Sequence, residues 1–173
     1  MSGSVDAFIS SLVRYANESD RRAMAALRRG LGHPPGTALE MMPYVVPFLP
    51  NEQWGHWAYF LAGSLFGLHP RHSPGMDMGG VYKKITDNES GEKRFLALLE
   101  SHQDDLPGHL RRAVSIARQK DCGIDYAQLM KDLLGWTHPN RYVQYNWARS
   151  YWSKTSKEDL NTGSTGKQQS EEE

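Results

Sequence analysis

The stretch EQWGHWAYFLAGSLFG, residues 52–67, carries apolar side chains on most sides of a helix. A helix that is hydrophobic all round has to be buried. This one is interrupted by glycine and is too short to cross a bilayer. The chain must therefore wrap it in elements that each present an apolar stripe, and the rest of the sequence reads as a supply of them. Asn51 stands where it caps this central helix.

Residues 6–15 (DAFISSLVRY) are amphipathic, with Phe8, Leu12 and Tyr15 on one side. Ser19 reads as the N-cap of a second helix, DRRAMAALRRG, which stops at Gly30. GHPPG (32–36) makes a stiff turn, and a third helix is expected over 37–46, ahead of Pro47 and Pro50. Beyond the central helix, LHPRHSPGMDMGG is about as long as a loop becomes before it is unusual in a compact domain. It reads as a functional or mobile loop near a boundary. VYKKIT is a short helix, followed by the polar break DNESGE. Four helical segments come next: KRFLALLESH, PGHLRRAVSIARQK, DYAQLMKDLLGW and PNRYVQYNWARSYWSK. Asp125 caps the third of these, and Pro139 suits the first turn of the fourth. Short links make them antiparallel neighbours. YVV is too short for a strand and is bracketed by proline. The tail TSKEDLNTGSTGKQQSEEE has almost nothing apolar to bury and is expected to be disordered. The expectation is an all-α protein with two small helical bundle domains, residues 1–88 and 89–154, and a disordered tail, 155–173.

Lys and Arg together number 20, and so do Asp and Glu, which excludes a strongly basic nucleic-acid binder. The balance is uneven, however. From Thr155 onward two lysines face five acids, a net −3, so the first 154 residues carry +3. Any phosphate-binding role must come from local clustering. MSGSVDAF has no basic segment followed by an apolar one, so no secretory signal is read. The single cysteine, Cys122, forms no internal disulfide and suits a reducing, cytoplasmic setting.

The clearest cluster lies in HLRRAVSIARQK, residues 109–120. Leu110, Ala113, Val114 and Ala117 make a core-facing stripe, while Arg111, Ser115 and Arg118 lie opposite, with Arg112 and Gln119 at the edge and no carboxylate. Solvated helix faces ordinarily mix both signs. This face is therefore either a solvated surface short of acids or a phosphate site, with Arg111 and Arg118 about 10 Å apart along the axis. Lys93, Arg94, Lys120 and Arg141 can add charge nearby. Arg21, Arg22, Arg28 and Arg29 form a second cluster that fits a phosphate backbone, or equally a surface pairing with Glu40 or with a partner's acids. His69, His72 and Asp77 match no zinc spacing, and His56 reads as a core residue with one hydrogen bond. Cys122 lacks the motif of a nucleophile, and GxxxxGK[ST], GxSxG and HExxH are all missing. No enzyme activity, metal site or cofactor is expected. Trp136, Tyr142, Tyr145, Trp147, Tyr151 and Trp152 can stack on bases if exposed, but helical spacing assigns them to the bundle core.

The order ALRRG, YVVPFLP, a long apolar helix ending FGLHP, VYKKI, and KRFLALLESHQDDLPGHLRRAVSIARQKDCGIDYAQLMKDLLGW resembles the CasB family, over roughly residues 8–153. These are the small subunits of the type I-E CRISPR surveillance complex, Cascade. The resemblance implies two small helical domains without catalysis, and two copies stacked head to tail beside the backbone subunits that carry the CRISPR RNA. It also implies the large subunit as a neighbour and no membrane contact. Such subunits help to hold the guide–target duplex and the displaced DNA strand in the R-loop. By position, the basic residues matching the family's are Arg28, Arg29, Lys83, Lys84, Lys93, Arg94, Arg111, Arg112, Arg118 and Arg141. Guide pairing supplies sequence specificity in such a system, so backbone contacts suffice for the protein. The competing reading is a helical adaptor whose basic faces meet acidic protein partners.

Overall fold

The computed structural model describes residues 2–154, and within them the fold is all-α. The tail expected to be disordered lies outside the described residues. The helices are α1 (Ser2–Asn17), α2 (Arg21–Arg29), α3 (Met42–Val45), α4 (His56–Leu68), α5 (Met78–Ile85), α6 (Glu89–Glu100), α7 (Leu106–Gln119), α8 (Tyr126–Gly135) and α9 (Tyr142–Trp152). As the all-round apolar pattern requires, α4 is central. Its residues from Ala58 to Gly67 are all buried, and it packs against α2, α7 and α8.

The helix starts were partly misplaced by sequence reasoning. Asp20, not Ser19, caps α2, accepting a hydrogen bond from the Ala23 amide, while Ser19 takes a left-handed φ of 54°. The segment expected as one helix over 37–46 is broken: a 3₁₀ turn at Leu39–Met41 precedes α3, and another at Val46–Phe48 follows it. Pro43 and Pro47 each open a new turn, because proline is tolerated only where no amide donor is needed. For the same reason Pro139 lies in a turn before α9, which begins after Arg141 at φ 53°. Asn51 does not cap α4; a 3₁₀ turn at Gln53–Gly55 leads into it. Asp125 does cap α8, accepting from the Gln128 amide at 3.0 Å.

The segment read as a functional or mobile loop is held in place by hydrogen bonds to the turn after α7. His72 and Ile124 form an isolated parallel bridge, Ser73 donates to the Ile124 carbonyl, and Ile124 donates back to the Arg71 carbonyl. His69 Nε2 is hydrogen-bonded to the Cys122 carbonyl at 2.8 Å, and His72 Nδ1 accepts from the Tyr126 amide. Arg71 pairs with Asp121, whose carboxyl is held below its ordinary range by that guanidinium. These partners sit on the turn between α7 and α8, some fifty residues away, so no local pattern announces them.

Buried side chains form one contiguous cluster from Val5 to Trp147, continuous across the expected boundary at residue 88. Two glycines permit its tightest crossings. A Cβ on Gly67 would sit 2.6 Å from the backbone nitrogen of Arg28, where α4 meets α2. One on Gly79 would sit 2.0 Å from the Trp147 carbonyl oxygen, where α5 meets α9. Trp147 itself is fully buried, and its indole Nε1 donates to Asp132 Oδ2 at 2.7 Å.

Candidate nucleic-acid interface

The α7 helix exposes its outer face as its periodicity demands. Leu110, Ala113, Val114 and Ala117 are fully buried, while Arg111, Arg112 and Arg118 are exposed. At 100° per residue, Arg111 and Arg118 share one flank and Arg112 lies on the other. The two flanks meet different neighbours.

On the first flank, the Arg111 guanidinium donates from Nη1 to the Leu31 carbonyl at 3.2 Å. This brings α7 to the turn that directly follows Arg28 and Arg29 at the end of α2. Arg28 Nε in turn donates to the Gly67 carbonyl near the end of α4, at 3.1 Å. Arg29 pairs with Glu40 at 3.0 Å, one of the two partners its sequence context allowed. A backbone hydrogen bond, and after it the hydrogen bond from Arg29, hold the Glu40 carboxyl below its ordinary range. Both partners are half-exposed, so the pair restrains Arg29 without neutralising it in a low dielectric. Arg28 and Arg29 thus precede the turn that Arg111 reaches, with their guanidinium groups directed to Gly67 and Glu40, and Arg118 lies two turns further along α7.

On the second flank, Arg112 joins Arg94 and Lys120 around a cleft of about 300 Å³ between α5, α6 and α7. Tyr82 lies in its floor. Burial pushes the phenol up to about 12, against the pull of the Arg112 and Arg94 charges. Arg94 is steadied by the Ser90 hydroxyl at 2.8 Å, and Lys120 faces Asp87 at 3.6 Å. Lys93 lies off this cleft, paired with Glu89 one turn back at 2.8 Å.

The remaining candidates stand apart. Arg141 reaches the Leu99 carbonyl at 2.6 Å and thereby fastens the end of α6. Lys83 is hydrogen-bonded to the Ser153 carbonyl, and Lys84 is exposed on α5. Among the described residues, the side chains of Lys84, Arg112 and Arg118 carry no intramolecular ion pair or hydrogen bond.

The aromatic prediction divides. Trp136 and Trp147 belong to the core, as expected, with 3% and 0% of their surface exposed. Tyr142, Tyr145 and Trp152 do not: Tyr145 is 65% exposed and Trp152 45%. They fall three, four and three residues apart around Arg149, along the outer stripe of α9, because the opposite stripe is fixed against α5 and α8 by Val143 and Trp147. Beside this stripe lies an open cleft lined by Asp77, Asp125 and Asp132. Its sign is opposite to that of the α7 face. Asp77 and Asp125 also cap α5 and α8. Among the described residues, no group of three or more His, Cys, Asp or Glu side chains could hold a metal ion, and no helix is long and apolar enough to cross a membrane.

The fold and its surface thus define a class: a protein that is all-α over the described residues and exposes arginines on several separate helices. The family model for CRISPR-associated protein Cse2 matches residues 23–152, and the chain belongs to that family. A CRISPR-associated protein Cse2 from Thermus thermophilus is 40% identical over 142 residues, covering 79% of this chain and 82% of the relative. The crystal structure of CasB from Thermus thermophilus superposes with a TM-score of 0.78 at 37% identity, covering 87% of this chain and 98% of that one. A chain of a CRISPR RNA-guided surveillance complex matches with a TM-score of 0.75 at 25% identity, covering 87% and 92%.

Proposed function

We propose that this chain is the small subunit of a type I-E CRISPR RNA-guided surveillance complex. In this role it has no reaction of its own. It stabilises the R-loop by sequence-independent contacts to the guide–target duplex and the displaced DNA strand. The observation that carries the reading is the Arg111–Leu31 hydrogen bond, which joins the cations of α7 to those at the end of α2. Arg28, Arg29, Arg111 and Arg118 then offer successive phosphate contacts along one surface, and Arg94 and Arg112 with Lys120 a second site on the other flank. R-loop formation is a near-balanced exchange of one duplex for another, so modest contacts are enough to tip it. A chain of zero formal charge is suited to that task, because tethering in the complex supplies the effective concentration that its field does not. The exposed aromatic stripe of α9 carries no cluster of cations, and the acidic cleft beside it repels phosphate through Asp77, Asp125 and Asp132. They suit contacts with protein neighbours: the large subunit, the backbone subunits or a second copy.

The test is target-duplex binding by the reconstituted guide complex across a salt series, with the wild-type chain and with the Arg111→Ala/Arg118→Ala variant. The variant keeps its helical circular dichroism, since neither side chain is in the core. It binds target more weakly, and the slope of log affinity against log salt becomes shallower by about 1.5, two lost contacts at about 0.7–0.9 each. Equal slopes would reassign this face to an acidic protein partner, the adaptor reading.

A further inference from the structure

Beside the Arg111 flank lies a groove that the phosphate reading leaves unused. It encloses about 590 Å³ and is lined by Leu31, Pro34, Pro35, Trp57 and Pro107, with Asp104 among its polar residues. Three features set it apart from an ordinary apolar hollow. Its walls are flat: one indole, only half-buried, and three proline rings. They are also stiff, because proline fixes φ and the 30–36 turn is closed by hydrogen bonds from His33 to the Gly30 carbonyl and from Thr37 to the Pro34 carbonyl. Finally, it runs directly into the basic line. Leu31 is at once a wall of the groove and the residue whose carbonyl holds Arg111, and Pro107 lies one turn before Arg111 on the same flank of α7.

Resting on the reading of this flank as a phosphate site, we propose that the groove takes an unstacked nucleobase of single-stranded DNA, stacked on Trp57, while the adjoining phosphates meet Arg111 and Arg118. A base needs a planar apolar face with an acceptor or donor at its edge, and a cation within one backbone unit for its phosphate. Trp57, Asp104 and Arg111 supply these in turn. Stacking on an aromatic side chain tolerates any base, so the groove adds affinity for single strands without adding sequence preference. A base paired in a duplex is not available to it. The site therefore separates the displaced strand from duplex DNA, a distinction that phosphate contacts alone draw poorly.

The decisive comparison is binding of the full-length chain, at low ionic strength, to an oligothymidylate and to an abasic strand of equal length, which carries the same phosphates and no bases. The oligothymidylate is expected to bind roughly tenfold more tightly. Trp57→Phe, which keeps a ring, retains that preference, and Trp57→Leu, which keeps apolar volume without a ring, abolishes it. Photo-crosslinking with 5-bromouracil-substituted DNA then labels the peptide containing Trp57 in the wild type. Equal binding of the two strands overturns the groove as a base site and leaves the phosphate reading standing. A preference that survives in Trp57→Leu moves the base elsewhere, to the aromatics of α9 among others, and overturns it too. Where neither strand binds the free chain, the crosslink is read in the reconstituted guide complex on a bromouracil-substituted displaced strand: an unlabelled Trp57 peptide overturns the groove, while the salt slope of the Arg111→Ala/Arg118→Ala variant decides the phosphate reading separately.

Discussion

Gly79→Ala is expected to lower the thermal midpoint by about 10 °C. The added methyl would sit 2.0 Å from the Trp147 carbonyl oxygen and 2.6 Å from its carbonyl carbon. These are backbone atoms of a facing helix, so no side-chain rotation relieves the overlap. Either α5 or α9 must move, and α9 is held by the fully buried Trp147 indole and its hydrogen bond to Asp132. Overpacking of this kind costs about 3 kcal/mol, which in a domain of this size corresponds to a shift of roughly 10 °C. The intrinsic helix gain of Ala over Gly, at most about 1 kcal/mol, does not offset it. Gly108→Ala is the control, because a Cβ there meets nothing within 4 Å. It is expected to leave the midpoint unchanged or raise it slightly. If both variants melt together in calorimetry, the α5–α9 crossing is looser than described.

The second large effect is a loss of stability with rising pH. Burial raises the Asp132 carboxyl from 3.8 to about 6, against the opposing hydrogen bonds donated by Trp147 and Gln128. At pH 5 the native protein therefore keeps this proton while the unfolded chain has released it. The stability carried by the neutral form is fully present below about pH 4 and is lost progressively as the pH rises through about 6. The shift corresponds to about 3 kcal/mol at most. Asp132→Asn still offers Trp147 an acceptor and cannot ionise. Denaturant unfolding from pH 4 to pH 7.5 should show the wild type falling relative to this variant, with the difference levelling off above about pH 7. A constant difference across that range would mean that Asp132 is ionised throughout in the folded protein.

Both effects centre on Trp147, and both lay outside what periodicity could reveal. Helical spacing marked Trp147 as a core residue but assigned Tyr145 and Trp152 to the same core, whereas 65% and 45% of their surfaces face outward. An aromatic at helical spacing is apolar whichever way it points. The facing helices decide which stripe is covered, and here α5 approaches closely because Gly79 lets it. Conversely, the outward stripe of α7 was legible. Leu110, Ala113, Val114 and Ala117 leave Arg111 and Arg118 only one direction to take, and the structure places them there. The Arg29–Glu40 pair was legible as an alternative, since both lie on the connected segment from α2 to α3. The Arg111–Leu31 contact, eighty residues apart and made to a backbone carbonyl, left no mark in the sequence.

The sequence by itself determined that this chain is helical, that the apolar stretch 58–67 lies at its centre and that its arginines collect on chosen helix faces. Those properties follow from local periodicity, capping and charge, which act within a few residues. Its order of segments also carried the family. What only the tertiary structure decided was the company those faces keep. Arg111 borders the turn after α2, Arg112 joins Arg94 across a cleft, and Arg141 fastens α6. Each of these depends on how closely two helices can cross. That distance is set by glycines and backbone carbonyls, whose partners are chosen only when the chain is packed.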